Sequence, residues 1–344
     1  MLRSIHKELC LRKSEIKEEV ETIYFGGGTP SLLDTEEINF ILDLIKDNYQ
    51  VADNPEITLE ANPDDLSNDK IEALAASEIN RLSIGVQSFF DEDLVYMNRA
   101  HSAIEAKESL DLAIRHFDNI TIDLIYGIPG LTGARWLENL KQCIDLGIGH
   151  ISSYALTVES KTALDHFIKS GKYEALDDAL AQRHFKILQD TAEAHKYVQY
   201  EVSNFGKEGF YSRHNTAYWK GISYLGVGPS AHSYNGTHRS WNIANNANYI
   251  ASIQKGVLPS EKELLEVEDR INESIMTGLR TIWGVSLVDI EKNFGEYHKN
   301  KIVHNATKYL EQGTLKLIKG QLSLSPDSYF LADGISADLF LLKA

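Results

Sequence analysis

Cysteine is almost absent from this 344-residue chain: only Cys10 and Cys143 occur, far apart in sequence. Two such residues make no disulfide framework, which fits a reducing compartment. They also exclude a cysteine-ligated iron–sulfur cluster or zinc site built from this chain alone. Basic charge is in deficit too: 34 Lys and Arg face 50 Asp and Glu, a net charge of −16. A general binder of nucleic acid or of anionic membrane wants a basic face, so no nucleic-acid partner is expected. No uninterrupted apolar run approaches the ~20 residues of a membrane span, which leaves at most a peripheral membrane contact. The start, Met1 to Ser14, is charged and amphipathic, unlike a signal peptide, and a cytoplasmic protein is expected. No internal repeat or low-complexity tract is visible. What remains is 43% apolar and 24% charged, a globular composition on a chain long enough for about two domains.

The pattern along the chain alternates. A helix is expected over Met1–Glu19, then strands at Thr22–Phe25, Ile57–Glu60, Arg81–Phe89, Ile120–Tyr126 and His150–Thr157. Helices are expected between them at Asp34–Asn48, Ser67–Ser77, Ser102–His116 and Arg135–Asp145, and after them at Leu176–Lys196. Short connections between alternating strands and helices mean parallel strands covered by helices. Five strands are too few for a closed eight-stranded barrel, so a partial barrel or open sheet is expected over residues 1–199. Residues 200–260 are rich in glycine and aromatics and read as a connecting region suited to a flat ligand. Residues 261–344 read as three helices, a hairpin around Lys319-Gly320 and a last helix near Pro326. That suggests a small, winged-helix-like domain for packing or covering a substrate.

Tyr24-Phe25-Gly26-Gly27-Gly28-Thr29-Pro30 closes the first strand. Glycines there allow positive φ and let backbone N–H groups approach a ligand. The turn lies at the carboxyl end of a strand, where α/β folds bind ligands. Among the other strands, Glu60 falls at the second, Gln87 at the third, Asp123 within the fourth and the Tyr154-Ala155 backbone at the fifth, with Arg99 just after the third. Several polar groups converging on one face more often make a site than a set of caps, because unpaired buried carboxylates are costly. The set suits a zwitterion joined to a nucleoside. Glycine N–H groups and Thr29 match an amino-acid end, Arg99 a carboxylate, and Glu60 and Asp123 ribose hydroxyls or an ammonium.

Six motifs in order then become informative: Gly-Gly-Gly-Thr-Pro, Glu-Ala-Asn-Pro, Ser-Ile-Gly-Val-Gln-Ser-Phe, Asn-Arg-Ala-His, Asp-Leu-Ile-Tyr-Gly-Ile-Pro-Gly and Tyr-Ala-Leu. Together they resemble the radical S-adenosylmethionine (SAM) enzymes of the oxygen-independent coproporphyrinogen III oxidase family, over nearly the whole chain. The resemblance implies an α/β fold: a partial (β/α)6 barrel, here lacking its first strand, with a small helical C-terminal domain. It also implies that Gly27, Gly28, Thr29, Glu60, Gln87, Arg99, Asp123 and Ala155 bind SAM. The family opens with a strand and a loop of three cysteines holding a [4Fe-4S] cluster, and nothing here matches that segment. The helix holding Cys10 is similar to the part that follows the loop. A chain lacking the family's N-terminal segment is expected, rather than a degenerate member, because the SAM motifs are intact. The cluster is expected in the complete protein only.

His214-Asn215-Thr216-Ala217-Tyr218-Trp219 lies in the aromatic region. An imidazole followed by large rings suits haem: nitrogen on iron, rings on the macrocycle. His-Asn-x-x-Tyr-Trp resembles the haem-binding motif of the haem-chaperone branch of the same family. It implies haem bound through His214, Asn215, Tyr218 and Trp219 and passed to an unknown acceptor protein. His232 and His238 have only proximity to recommend them. The alternatives are an oxidase that decarboxylates two propionates of a porphyrinogen, or a non-catalytic remnant without a cluster.

Overall fold

The computed structural model describes residues 1–342. After α1 (Leu2–Leu11) the chain runs β1 (Val20–Phe25), α2 (Thr35–Asn48), β2 (Val51–Ala61), α3 (Asn68–Ala75), β3 (Arg81–Gln87), α4 (Asp91–Tyr96), α5 (Ala103–Ala113), β4 (Ile120–Tyr126), α6 (Gly133–Asp145) and β5 (His150–Ala155). Then follow α7 (Ala163–Lys169), α8 (Asp178–Ala194), β6 (Val198–Glu201) and β7 (Asn204–Gly206). The caps are local chemistry. Ser102 and Glu105 form a reciprocal capping box on α5, and the side chains of Ser67 and Thr132 accept the third backbone N–H of α3 and α6.

These strands form one seven-stranded sheet in the order β1-β2-β3-β4-β5-β7-β6. From β2 to β5 neighbours are parallel, and β7 and β6 close the far edge as antiparallel strands. The order has two ends, so this is an open partial barrel, as the alternation predicts. Strand β3 is buried from Arg81 to Val86 and β4 is buried on most of its length, as expected of parallel strands covered on both faces.

Besides the added short helices α4 and α7 and the earlier start of β2 at Val51, the structure departs from the sequence reading in three places. The first helix ends at Leu11, not Glu19. Arg12 turns inward there, with its guanidinium on Glu8, Glu15, the Gly226 carbonyl and Ser233. The sheet gains β6 and β7, two short strands whose turn is tied by Glu201 accepting from Ser203 N and Asn204 Nδ2. The segment read as a connector is ordered into α9 (Arg213–Trp219), β8 (His232–Tyr234), β9 (His238–Asn242), α10 (Asn246–Gln254) and β10 (Ser260–Leu264). Its three strands make an antiparallel sheet in the order β10-β9-β8. The remainder is α11 (Val267–Leu279), β11 (Val285–Ser286), α12 (Leu287–Phe294), α13 (Glu296–Glu311), β12 (Leu315–Ile318), β13 (Gln321–Leu324) and α14 (Ala332–Leu339). The expected hairpin appears with β13 central between β12 and β11, the winged-helix-like arrangement.

Two compact units result. One holds Tyr24–Thr35 and Glu56–Ser212, hence the parallel strands' carboxyl ends and α3 to α8. The other holds Met1–Ile23, Glu36–Pro55 and the chain from Arg213 onward. In this second unit Glu8 is fully buried and accepts from Arg12 Nη1 (3.0 Å), Asn242 Nδ2 (2.7 Å), the Gly228 N–H (2.9 Å) and Tyr249 OH (2.6 Å). A buried carboxylate is tolerable because every donor is in place. Among the described residues no helix is long and apolar enough to cross a membrane.

Candidate functional site

The first site lies at the carboxyl ends of β1 to β5. Gly27 and Gly28 take φ of +74° and +69°, left-handed values that glycine adopts without strain. No protein atom lies within 4 Å of where a Cβ would stand on either, so the turn faces open space. Gly26 differs: a Cβ there would meet the Tyr24 ring at 2.5 Å and Glu60 Oε1 at 3.0 Å. That close approach lets the turn fold over Glu60. Tyr24 OH donates to Glu60 Oε1 at 2.8 Å and the Gly27 N–H to Oε2 at 3.0 Å. Glu60 is thus fixed in orientation and, as a carboxylate, keeps lone pairs for a ligand.

Gln87 ends β3 at a φ of +66°, rare for a residue with a side chain. The pairing of β3 with β4 shifts register between Ile84 and Gln87, and this irregularity re-aims the strand end. At Gly85 a Cβ would lie 2.8 Å from Gln87 Nε2 and 3.3 Å from Arg99 Nη2, so the ends of both side chains lie close over this glycine and a side chain here would displace them. Arg99 also donates to Asn62 Oδ1 at 3.3 Å. Burial lowers the Arg99 pKa, with Asp64 and Asp123 pushing it back up.

Asp123 stands beside Ser152 in the β4–β5 register, and Ser83 Oγ lies 3.4 Å from each of its oxygens. Burial first, and the charge of Glu60 second, push its pKa up to about 7. A carboxyl poised there is typical of a binding or reacting site. Thr29 caps the short 3-10 turn Pro30–Leu32 without a side-chain cap bond, and Ala155 pairs with Tyr126 at the end of β5. The structure therefore brings Glu60, Gln87, Arg99 and Asp123 to one face beside the glycine turn. Sequence reasoning missed Tyr24, Asn62, Ser83 and Ser152, which hold these groups. Their signal was position alone, each lying within three residues of a strand-end motif or on the same strand row.

The second site is on α9. His214 and Tyr218 are four residues apart, one above the other on a helix. His214 Nδ1 lies 3.0 Å from Thr22 Oγ1 on β1. Tyr218 packs edge-on against Trp219 (5.1 Å, 86°) and next to Tyr224 (5.5 Å), and Tyr224 is locked to Tyr234 by two backbone bonds of 2.9 and 3.0 Å. Tyr218, Trp219, Tyr224 and Tyr234 line a cleft of about 320 Å³ with residues of α11 and α12. His214 does not line it. His232 and His238 are both exposed and stand outside the cleft.

The donor sets can be matched to the cofactors. The glycine turn, the fixed Glu60, Arg99 and Asp123 fit SAM: open space beside the turn, a cation for its carboxylate, carboxyl groups for its ammonium or hydroxyls. A [4Fe-4S] cluster does not fit the residues present. Cys10 is exposed on α1, Cys143 is buried in α6 with its thiol pKa pushed up by that burial, and no third cysteine exists. Among the described residues no group of three or more His, Cys, Asp or Glu could hold a metal ion.

Comparison with known proteins agrees with this division. Residues 3–157 match the Radical SAM superfamily and residues 265–331 the HemN C-terminal domain. The chain is 35% identical to the haem chaperone HemW of Bacillus subtilis, over 80% of this chain and 74% of that protein. It is 31% identical to HemW of Lactococcus lactis, over 92% of this chain and 84% of that one. In fold it matches the coproporphyrinogen III oxidase HemN of Escherichia coli with a TM-score of 0.80 at 22% identity, over 98% of this chain and 82% of that one. The order of motifs, the partial barrel and these relatives agree: the chain belongs to the radical SAM superfamily, in the family of the haem chaperone HemW.

Proposed function

We propose that this protein binds haem through the α9 motif and hands it to an acceptor protein in the cytoplasm, without a nucleic-acid partner. The observation that carries this is the cleft at α9, which Tyr218 and Trp219, packed edge to face, help to line. A flat, largely apolar macrocycle gains most of its affinity from such ring packing, while an imidazole fixes orientation. Contact between the Nδ1 of His214 and a threonine hydroxyl is the kind of outer contact that sets the tautomer of a metal-ligating histidine; Nε2 is then the nitrogen that would address iron. Non-covalent packing at a surface cleft also permits release, which a carrier requires.

SAM, when bound, brings a sulfonium between an amino-acid end and a nucleoside. The chain's own residues would bind and orient it: Gly27, Gly28 and Thr29 at the amino-acid end, Arg99 on its carboxylate, and Glu60, Gln87, Asp123 and the Ala155 backbone on the remaining polar groups. A net charge of −16 supports the absence of nucleic acid among the partners.

The test is a haem titration of the wild-type protein and of His214→Ala and Tyr218→Ala, run beside an anaerobic assay with coproporphyrinogen III. The expected result is weaker haem retention in both variants, a changed Soret band for His214→Ala, and no porphyrinogen conversion. Equal spectra for wild type and His214→Ala would remove His214 from the site. Robust conversion to protoporphyrinogen IX would replace the chaperone reading with the oxidase one.

A further inference from the structure

We propose that Lys220 receives a carboxylate of the bound macrocycle, so that the α9 cleft selects a tetrapyrrole by its propionates as well as by its plane. The inference rests on the haem-binding reading above and adds a recognition element to it.

Two cations stand over indoles in this unit. The Arg280 guanidinium is 5.1 Å from the Trp219 ring centre, and the Lys220 ammonium is 4.4 Å from that of Trp283. Their charges are used differently. Arg280 Nη1 donates to Asp333 Oδ1 at 2.6 Å, so its charge is already matched by an acid. Lys220 lines the cleft and makes no ion pair among the described residues. The cleft's two acids are Glu273 and Asp289. Glu273 is ion-paired with Arg239, which leaves Asp289 as the second acid of the cleft.

An ammonium held over an indole is partly shielded from water on one face. It can exchange little with solvent there and pairs well with an arriving anion on its other face. A purely apolar flat molecule gains nothing from that arrangement. A macrocycle with ionised propionates gains an anchor that fixes which edge enters first.

The chemistry separates cleanly in an experiment on the full chain. Haem and its dimethyl ester share plane and iron but differ in the carboxylates. Each is titrated into wild type, Lys220→Gln, Lys220→Arg and Asp289→Asn, with circular dichroism confirming that every variant is folded. Lys220→Gln is expected to weaken haem roughly tenfold and leave the ester unchanged. Lys220→Arg should restore haem affinity, and Asp289→Asn should strengthen haem alone by removing a like charge. Equal haem affinity in wild type and Lys220→Gln, or an equal loss for both ligands, would overturn the role of Lys220 while leaving haem binding intact. Failure of the wild type to bind either ligand would overturn the haem reading and this inference together.

Discussion

Replacing Asp123 by Asn should change how the parallel-sheet unit responds to pH, and the structure fixes the sign. Asp123 is set among β3, β4 and β5 with Ser83 and Ser152 as neighbours and Glu60 as a nearby negative charge. Burial and then Glu60 raise its pKa from 3.8 to about 7. The unfolded chain releases this proton near pH 4, while the folded protein holds it until about pH 7. Between those values the folded state binds more protons, so stability falls as pH rises through the window. At 1.36 kcal/mol per pH unit the ceiling on that loss is about 4 kcal/mol. Water reaching the half-buried carboxyl reduces it, and about 2 kcal/mol is the working expectation.

Asparagine has nearly the same shape and no charge to release. Asp123→Asn should therefore match wild type near pH 4 and exceed it above pH 7. A whole-chain melt would mix two units, so the readout is hydrogen exchange of the β4 and β5 peptides at pH-corrected times. Protection in the variant should exceed that of wild type at pH 8 and converge with it at pH 5. A difference that is constant with pH, or that grows toward acid, would refute the reasoning.

The glycine turn gives two contrasting variants. Gly26→Ala should lower both stability and SAM affinity, because its Cβ would stand 2.5 Å from the Tyr24 ring. Gly28→Val meets open space but is strained at a φ of +69°, about 1–3 kcal/mol, and should lower calorimetric SAM affinity with a smaller change in stability. Arg99→Ala should weaken SAM by about 1.5–3 kcal/mol through loss of a charge-assisted pair, measured by the same calorimetry. Glu8→Ala strands Arg12 and three other donors in a buried site and should cost about 3–5 kcal/mol in chemical denaturation of the unit holding α1 and α10. Reconstituted with iron and sulfide, this chain should show no [4Fe-4S] signal by Mössbauer or EPR spectroscopy, since two cysteines cannot supply three thiolates.

Much of the barrel was legible because its signals are local. Ser67 and Ser102 mark their helix starts as caps, and the Lys319-Gly320 pair marks the C-terminal hairpin. The convergence of Glu60 and Gln87 was legible for a topological reason: strand ends in a parallel sheet share a face whatever their separation in sequence, and Asp123 joins them from within β4. What stayed hidden depends on pairs that no local pattern links. Tyr24 reads as a packing aromatic, and only the fold brings its hydroxyl to Glu60, 36 residues on. The register shift before Gln87 is invisible in an apolar run where every residue from Arg81 to Val86 is buried. Strands β6 and β7 are too short for alternation to declare itself, and their turn is held by the carboxylate of Glu201, which composition would place outside.

The α9 motif shows how far a motif read alone can mislead about geometry. Sequence spacing puts His214, Tyr218 and Trp219 together as one ligand-facing group. The helix spreads them along its length: His214 shares a face with Tyr218 one turn on, but of the three only Tyr218 and Trp219 reach the cleft. Tyr218 and Trp219 reach the cleft as a pair at near right angles, and His214 is drawn to Thr22. A ligand packed on the rings and one ligated by His214 need not have the same affinity determinants. Comparing His214→Ala with Tyr218→Ala against haem and against metal-free protoporphyrin IX separates them. Loss of His214 should weaken only the iron-containing ligand, while loss of Tyr218 should weaken both. If His214→Ala weakens the metal-free macrocycle equally, the histidine acts by holding α9 on β1 through Thr22 and not through iron.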